Sequence, residues 1–281
     1  MRYNDAIRAS TRVTTKYRHY GPMYDTVVAT LPASPTVLEI GVANGGSLQA
    51  WRALLGPDAR IIGVDLNPSA TALRDEGFEI HVLDSGADAS WDRLLDVIGR
   101  AVDLLVDDGG HTNVQQILAV RRGIDLVRDG GWIVLEDVHA SFMHEFGNPS
   151  PFSAAHFVDE LNHDLHRGHP RSSVTPRRPA LAARITATLV TSSWVGLRVG
   201  AWAYDARDEL TAGQDASLMD YDHRWDDAGG LRRWADRLPP PVRASLKRSA
   251  LWIRESRTAS GPYRADLGGP GAATPQDAPP D

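Results

Sequence analysis

The chain has 281 residues, enough for one large or two small domains, and its 42% hydrophobic and 23% charged side chains are those of an ordinary globular protein. It contains no cysteine, which excludes disulfides, thiolate metal sites and cysteine nucleophiles, so any metal must be held by carboxylates, imidazoles or carbonyls. A net charge of −6 argues against a nucleic-acid partner that needs a broad basic face. With no apolar run of transmembrane length and no secretory signal pattern, the expected location is the cytoplasm.

Residues 1–35 are expected to form an N-terminal cap. The first twenty are polar with no buried-looking period, and a helix is expected in MYDTVVATL. Lys16, Tyr17, His19 and Tyr20 either pack this cap on the domain or make it a lid whose aromatic and cationic groups meet a ligand. Next comes TVLEIGVANGGSLQAW, residues 36–51: a short apolar run, a glycine-rich bend, then an amphipathic segment with Leu48, Trp51, Leu54 and Leu55 on one face. That is strand, tight turn and helix, the opening unit of a nucleotide-type α/β domain. Ser47 is a plausible helix cap.

The turn reads G-x-A-x-G-G from Gly41, with Ala43 in the middle position and Glu39 two residues before it. A carboxylate aimed into a pyrophosphate cradle would repel the phosphates of NAD, whereas it suits the ammonium group of S-adenosylmethionine (SAM). The following strand, RIIGVDLNP, ends in Asp65, at the separation where an acid meets ribose hydroxyls. SAM is therefore favoured over NAD.

From Thr36 onward strands and helices alternate, which predicts a mainly parallel sheet. A short polar helix near 70–76 leads to FEIHVLD, ending at Asp84; a helix around Trp91 to Ile98 leads to AVDLLV, ending in DDGGH. A helix from about Asn113 to Arg128 is expected to stop at Asp129-Gly130-Gly131, before a fifth strand WIVLEDVH. AAHFVDELNHDLHR reads as another helix, and RITATLVTS and WVGLRVGAWAY as two antiparallel strands closing the sheet, seven strands in all with helices on both faces. His156, His163 and His166 fall along one helix and, with His144 and His169, read as mainly solvent-facing. Residues 36–205 form the expected main domain, 206–258 a helical extension with a basic stretch (Arg243, Lys247, Arg248, Arg254), and 259–281 a Gly/Pro/Ala/Asp-rich disordered tail.

Ligands of an open α/β sheet gather outside the carboxyl ends of its strands. Glu39, Asp65, Asp84, Asp107, Asp108, Glu136 and Asp137 all fall at such ends, with His111 and His139 just beyond. Hard oxygen donors from neighbouring strands suit magnesium, or manganese in its place, and a histidine beside a metal-bound hydroxyl can take its proton. The alternative is that the acids merely cap the following helices and the histidines are surface groups. Gly109-Gly110 allow His111 to face back toward the carboxylates. If His139 continues its strand, the period of two places it on the face of Asp137, so both histidines are candidate bases, with His111 preferred.

VLEIGVANGGSLQAW, DLLVDDGGHTN and GGWIVLEDVHASF resemble the class I SAM-dependent methyltransferases, in particular the sugar O-methyltransferases of macrolide antibiotic pathways and their relatives in polysaccharide clusters; the resemblance covers about residues 15–204. It implies a Rossmann-like α/β fold and transfer of a methyl group from SAM to a sugar hydroxyl of a natural product or surface glycan. Asp108, Glu136 and Asp137 are implied as magnesium ligands and His111 as base, with His139 the second catalytic candidate. The implied cofactor contacts are Glu39, Gly41, Asp65 and Asp84, and with them Asn44, Gly45 and Asp107. Ala43 replaces the usual middle glycine, and HVLDSGAD lacks the Gly-Asp pair common at the end of the third strand. An NAD-dependent oxidoreductase, a hydroxylase-like metal enzyme and a non-catalytic SAM-binding protein are the alternatives. The expected partner is a small-molecule or glycan acceptor, with a homo-oligomer possible.

Overall fold

The structure, a computed structural model, describes residues 1–146, 152–169, 172–201, 237–246 and 249. Five strands, β1 (Thr36–Ile40), β2 (Arg60–Asp65), β3 (Glu79–Val82), β4 (Val102–Asp107) and β5 (Val127–Leu135), pair in parallel. β6 (Ile185–Val190) and β7 (Val195–Val199) add an antiparallel edge, giving one sheet in the order β3-β2-β1-β4-β5-β7-β6. The seven-stranded, mainly parallel Rossmann-like sheet expected from the sequence is therefore present.

A parallel sheet covered on both faces must bury both sets of alternating side chains. Along β1, Val37 joins the core under α1 (Tyr3–Ala9), α2 (Tyr20–Val28) and α3 (Gly46–Leu55), with Leu48 and Trp51. Leu38 and Ile40 point to the opposite core, under α4 (Asp88–Ile98), α5 (Asn113–Leu126) and α6 (Ala154–Arg167), with Trp91, Val120 and Leu161. Each such aliphatic side chain, fully buried, contributes about 1.5–3 kcal/mol, so the period of two in β1 pins its register. The order reverses between β1 and β4, the switch point at which such sheets open a crevice.

Several local expectations are corrected. The first twenty residues do contain a buried helix: α1 sets Tyr3 against Tyr24, ring centroids 4.3 Å apart, and against Trp51 at 5.1 Å. Seven residues are too few to display a period, and distant aromatics supply the packing. The polar segment after β2 is a 3-10 helix, Pro68–Glu76, capped by the Asn67 side chain accepting from Ser69 N. α3 is capped by Gly45, not Ser47, which lies within the helix. α5 ends at Leu126, and Asp129-Gly130-Gly131 lies inside β5, where the register against β4 shifts. β5 stops at Leu135; Asp137 turns left-handed and a 3-10 turn, Val138–Phe142, carries His139 off the strand.

Residues Met1–Glu209 form one unit, which includes the expected cap. A second unit, Leu210–Asp281, is described only over 237–246 and at 249, with 240–246 helical. Most of the expected extension and all of the expected tail, 259–281, lie outside the described residues. A short helix α7 (Pro179–Ala182) precedes β6. Among the described residues no helix is long and apolar enough to cross a membrane.

Candidate active site

The carboxyl ends of β1, β4 and β5 open into a cavity of about 590 Å³. One wall is the turn after β1, with Gly41, Asn44 and Ser47; a second is Asp108, Gly109, His111, Glu136 and Asp137; the third is the strap from Val13 to Tyr17 with Tyr20. Gly41 has φ of +82°, and a Cβ there would meet Asp108 O at 2.3 Å, so the first two walls touch through a position that admits only glycine. Roomier hollows of about 730 and 890 Å³ lie elsewhere, against α6 and α7, and hold no comparable group of strand-end acids.

Among the described residues, the non-glycine residues with positive φ are Ala43 at 43°, His111 at 55° and Asp137 at 55°, and all three line this cavity. Left-handed backbone is costly for an L side chain and concentrates at functional sites. Each of the three is clamped. Asp65 Oδ2 accepts from Val42 N and Ala43 N, both at 3.0 Å, while its Oδ1 accepts from Asn67 N at 2.8 Å. The Tyr20 hydroxyl donates to Asp137 Oδ1 at 2.6 Å and shares a 2.8 Å bond with Ser193 Oγ. His111 precedes the capping box of α5, in which Thr112 and Gln115 satisfy each other's backbone N–H groups. Thus His111 itself, and not the glycines before it, supplies the left-handed step of the turn.

Ligand atoms of Asp108, His111 and Asp137 lie within 4.8 Å of one another, with His111 Nε2 3.5 Å from Asp137 Oδ2. Glu136 is adjacent but otherwise engaged: Oε1 accepts from the Tyr24 hydroxyl and Oε2 from Lys16 Nζ at 3.0 Å. Lys16 Nζ also pairs with Asp108 Oδ2 and stands 3.9 Å from Glu39 Oε1.

Residues 38–138 match the methyltransferase domain family. Over this stretch, about a third of its length, the chain is similar to methyltransferase domains. Its relatives include the 8-demethyl-8-(2-methoxy-alpha-L-rhamnosyl)-tetracenomycin-C 3'-O-methyltransferase of Streptomyces olivaceus, 34% identical over 137 residues, 46% of this chain and 34% of that protein. The 8-demethyl-8-alpha-L-rhamnosyl tetracenomycin-C 2'-O-methyltransferase of the same organism is 29% identical over 58% of this chain and 43% of its own. The matches thus span less than half the length of these relatives. Among solved structures, MycE methyltransferase from the mycinamycin biosynthetic pathway, in complex with Mg and SAH, aligns with a TM-score of 0.58 at 23% identity, covering 67% of this chain and 51% of that one. At that identity the likeness is one of fold.

Of the catalytic, cofactor and metal residues expected from the sequence, the cavity gathers Gly41, Asn44, Asp108, His111, Glu136 and Asp137. The others sit outside its lining. Glu39 is buried beneath the turn, on the side of β1 that faces α3, and its Oε2 accepts from Trp51 Nε1 at 2.7 Å; the period of two sends it there with Val37. Asp65 is occupied with the backbone of the turn. Gly45 has φ of +82° and abuts Leu73, while Asp84 stands exposed at the end of β3, accepting from Gly86 N at 2.8 Å. Asp107 is buried, with Oδ1 accepting from Gly109 N at 3.3 Å. His139 lines a separate pocket of about 260 Å³ with Phe142, Val158 and Val195, its ring 5.9 Å from that of Tyr17. His144, His156, His163, His166 and His169 are exposed.

Tyr24 was not foreseen as a site residue, and Lys16 only as part of a lid. The available signal was Tyr20 and Tyr24 four apart on one helix, which places two hydroxyls on one face.

Burial dominates the electrostatics of this edge. It pushes Asp107 up to about 7, against the bond from Gly109, and raises Asp108, Glu136 and Glu39 despite the nearby Lys16 ammonium. Burial also opposes the charge on Lys16, yet Glu136 and Asp108 hold its pKa well above the ordinary lysine value. For His111 burial lowers the pKa, with Asp137 and Glu136 pulling the other way. Among the described residues, Glu39 Oε1 and Asp107 Oδ2 are buried without a hydrogen-bond partner. Five carboxylates against one ammonium leave an edge that lacks positive charge. The oxygen-rich donors fit a hard divalent ion such as magnesium.

Proposed function

We propose that the protein is a SAM-dependent O-methyltransferase acting on a sugar hydroxyl of a glycosylated natural product or glycan, with a divalent ion at the acid cluster. The observation that carries this reading is that the glycine turn and the Asp108–His111–Asp137 group line one cavity. The rhamnosyl-tetracenomycin methyltransferases and MycE supply the substrate class by likeness. SAM would be held along Gly41 to Ser47 and would supply a methyl group already activated on a sulfonium. A magnesium ion would be held by Asp108, Glu136 and Asp137 and would supply a charge that acidifies a hydroxyl.

The chain's own residues do the rest. His111 accepts the proton of the acceptor hydroxyl, and Asp137, 3.5 Å from its Nε2, steadies the imidazolium that forms. Tyr20 and Ser193 hold Asp137 in the rotamer that keeps this pair together. Residues 13–17 line one side of the cavity in which donor and acceptor must be aligned. His139 lines a separate pocket, which favours His111 over it as the base.

The test is calorimetric titration with SAM and with NAD, followed by transfer of labelled methyl groups to rhamnosylated polyketides with and without EDTA. SAM binding together with metal-dependent product supports the reading. NAD binding without SAM binding refutes it, and full turnover in excess EDTA refutes the metal.

A further inference from the structure

The seat of Lys16 has no place in the reaction described above. Its ammonium, at the end of a side chain only 4% exposed, pairs with Asp108 and Glu136 and approaches Glu39. Two of these are the acids assigned to the metal. We propose that Lys16 is a tethered cation that competes with the divalent ion for Asp108 and Glu136, so that loading the ion frees the strap over the cavity.

Oxygen occupancy is the first ground. With Lys16 seated, Glu136 has one oxygen on Tyr24 and the other on Lys16, and Asp108 Oδ2 is also taken. An ion that draws on Glu136, or on that oxygen of Asp108, would share a ligand atom with an ammonium group. Two cations in contact across one oxygen repel, and the bound pair also lacks room for the water shell that magnesium keeps. Asp137, held by Tyr20 beside Asp108, gives the ion a first foothold from which to displace the lysine.

The second ground is how the strap is fastened. Its N-terminal end is anchored on α3, where Gln49 Oε1 accepts from Ser10 Oγ, Thr11 N and Thr11 Oγ1 at 3.0 Å and from Arg12 N at 3.2 Å, and Arg12 pairs with Glu76. A Cβ on Gly46 would meet Arg12 O at 2.6 Å, so the anchored end lies directly on the helix. From Val13 to Tyr17 the chain has no regular structure, and Val13, Thr15 and Tyr17 are exposed. Val13 and Thr14 rest on Gly46 with the anchored end, and beyond them the Lys16 side chain is what reaches inward. A segment with so few buried contacts opens locally at low cost, and removing its ion pairs removes most of that cost. Because the same stretch lines the cavity, the identity of the cation at the acids sets whether the cavity is roofed.

This inference rests on the metal-dependent reading, and the experiment separates the two. The full chain is titrated with Mn2+, occupancy is followed by electron paramagnetic resonance, and limited trypsin digestion is read at the Lys16–Tyr17 bond by mass spectrometry. Trypsin must take the lysine side chain into its own pocket, so a seated Lys16 resists cleavage. Cleavage at this bond should accelerate about tenfold or more as Mn2+ fills the site, and Mg2+ should do the same. In Lys16→Met the apparent Mn2+ affinity should tighten about ten- to a hundredfold, the factor by which a seated fraction of about 90–99% masks the competent state. The digestion of the unaltered protein decides the matter if that variant does not fold. Unchanged or slower cleavage at full Mn2+ occupancy overturns the proposal, because lysine and ion then coexist; so does equal affinity in the two proteins. Binding by Lys16→Met alone supports it. Binding by neither overturns it, and methyl transfer in EDTA then shows whether the methyltransferase reading survives without a metal.

Discussion

Replacing Asp65 with alanine should destabilise the protein as well as weaken SAM. Its carboxylate accepts three backbone N–H groups, from Val42, Ala43 and Asn67. Ala43 and Asn67 are exposed, so their N–H groups return to water at little cost, whereas Val42 is 2% exposed and its N–H is stranded. A stranded buried donor costs about 1–3 kcal/mol, and a charge-assisted bond is worth about 1.5–3 kcal/mol before rehydration is credited. The net expectation is a loss of about 2 kcal/mol in the apo protein. In urea this appears as a midpoint lowered by somewhat under about 1 M, with the slope unchanged, for a slope of about 2–3 kcal/mol/M. Asp65→Asn retains one carbonyl for Val42 and Ala43 but turns an amide toward Asn67 N, so it should lose roughly half as much. SAM affinity, measured by calorimetry, should fall in both variants because the turn that lines the cavity loosens. An Asp65→Ala protein with an unchanged urea midpoint and abolished SAM binding would mean that the carboxylate serves the ligand and not the turn.

His111→Ala should cut single-turnover methylation by about a hundred- to ten-thousandfold while SAM and metal titrations stay near native, and His139→Ala should lose less; the reverse ranking would exchange the two roles. Burial lowers the His111 pKa below the ordinary value of 6.5, so its neutral form persists as pH falls, and the acidic limb of the rate profile should lie below pH 6.5. Asp107 is raised from 3.8 to about 7, so between those values the folded protein binds a proton that the unfolded chain has released, and this contribution to stability is lost as pH rises through about 7. Asp107→Asn should therefore gain on the unaltered apo protein in urea midpoint between pH 5 and 8, and a constant difference would contradict that. Gly41→Ala, with φ of +82° and Asp108 O 2.3 Å from the new Cβ, should cost at least about 2 kcal/mol and abolish SAM binding; a native-like melting curve would refute the close approach.

The sheet was legible because each strand before the last pair is a short apolar run closed by glycine or an acid, and the order of turns and helices left few topologies. The edge of the site was legible for the same reason, since Asp108, Glu136 and Asp137 end strands that lie side by side. Partner choice was not legible. Glu39 reads as a ligand for an ammonium group of the cofactor, but the alternation along β1 turns it under the sheet to the indole of Trp51. Asp65 reads as a ribose contact, and its carboxylate also closes a ring with backbone N–H groups that no side-chain pattern records. Lys16 and Glu136 are 120 positions apart, and nothing local in either marks the pairing. The shift in β5 is the other kind of miss: Asp129-Gly130-Gly131 has the composition of a helix stop, yet the chain is already paired with β4 through Val127.

Two independent features single out the crevice between β1, β4 and β5. One is charge: carboxylates from three strands crowd an edge where burial penalises their ionisation. The other is backbone strain, in Ala43, His111 and Asp137, which follow β1, β4 and β5 respectively. Left-handed geometry costs an L residue about 1–2 kcal/mol, and nothing in the packing of the sheet demands it three times at one edge. Glycine at 43 would adopt φ of 43° without a Cβ, so the retained alanine accepts a strain that Asp65 offsets from the next strand. His111 and Asp137 are residue types that tolerate this region better than most, and the same twist that strains them brings the imidazole to 3.5 Å from the carboxylate. Relaxing either turn would separate that pair. The clamps at Tyr20, Thr112 and Asp65 are thus the structural cost of holding a base beside an acid cluster, and Tyr20→Phe, which removes the clamp on Asp137 without touching the pair itself, is the substitution that exposes it.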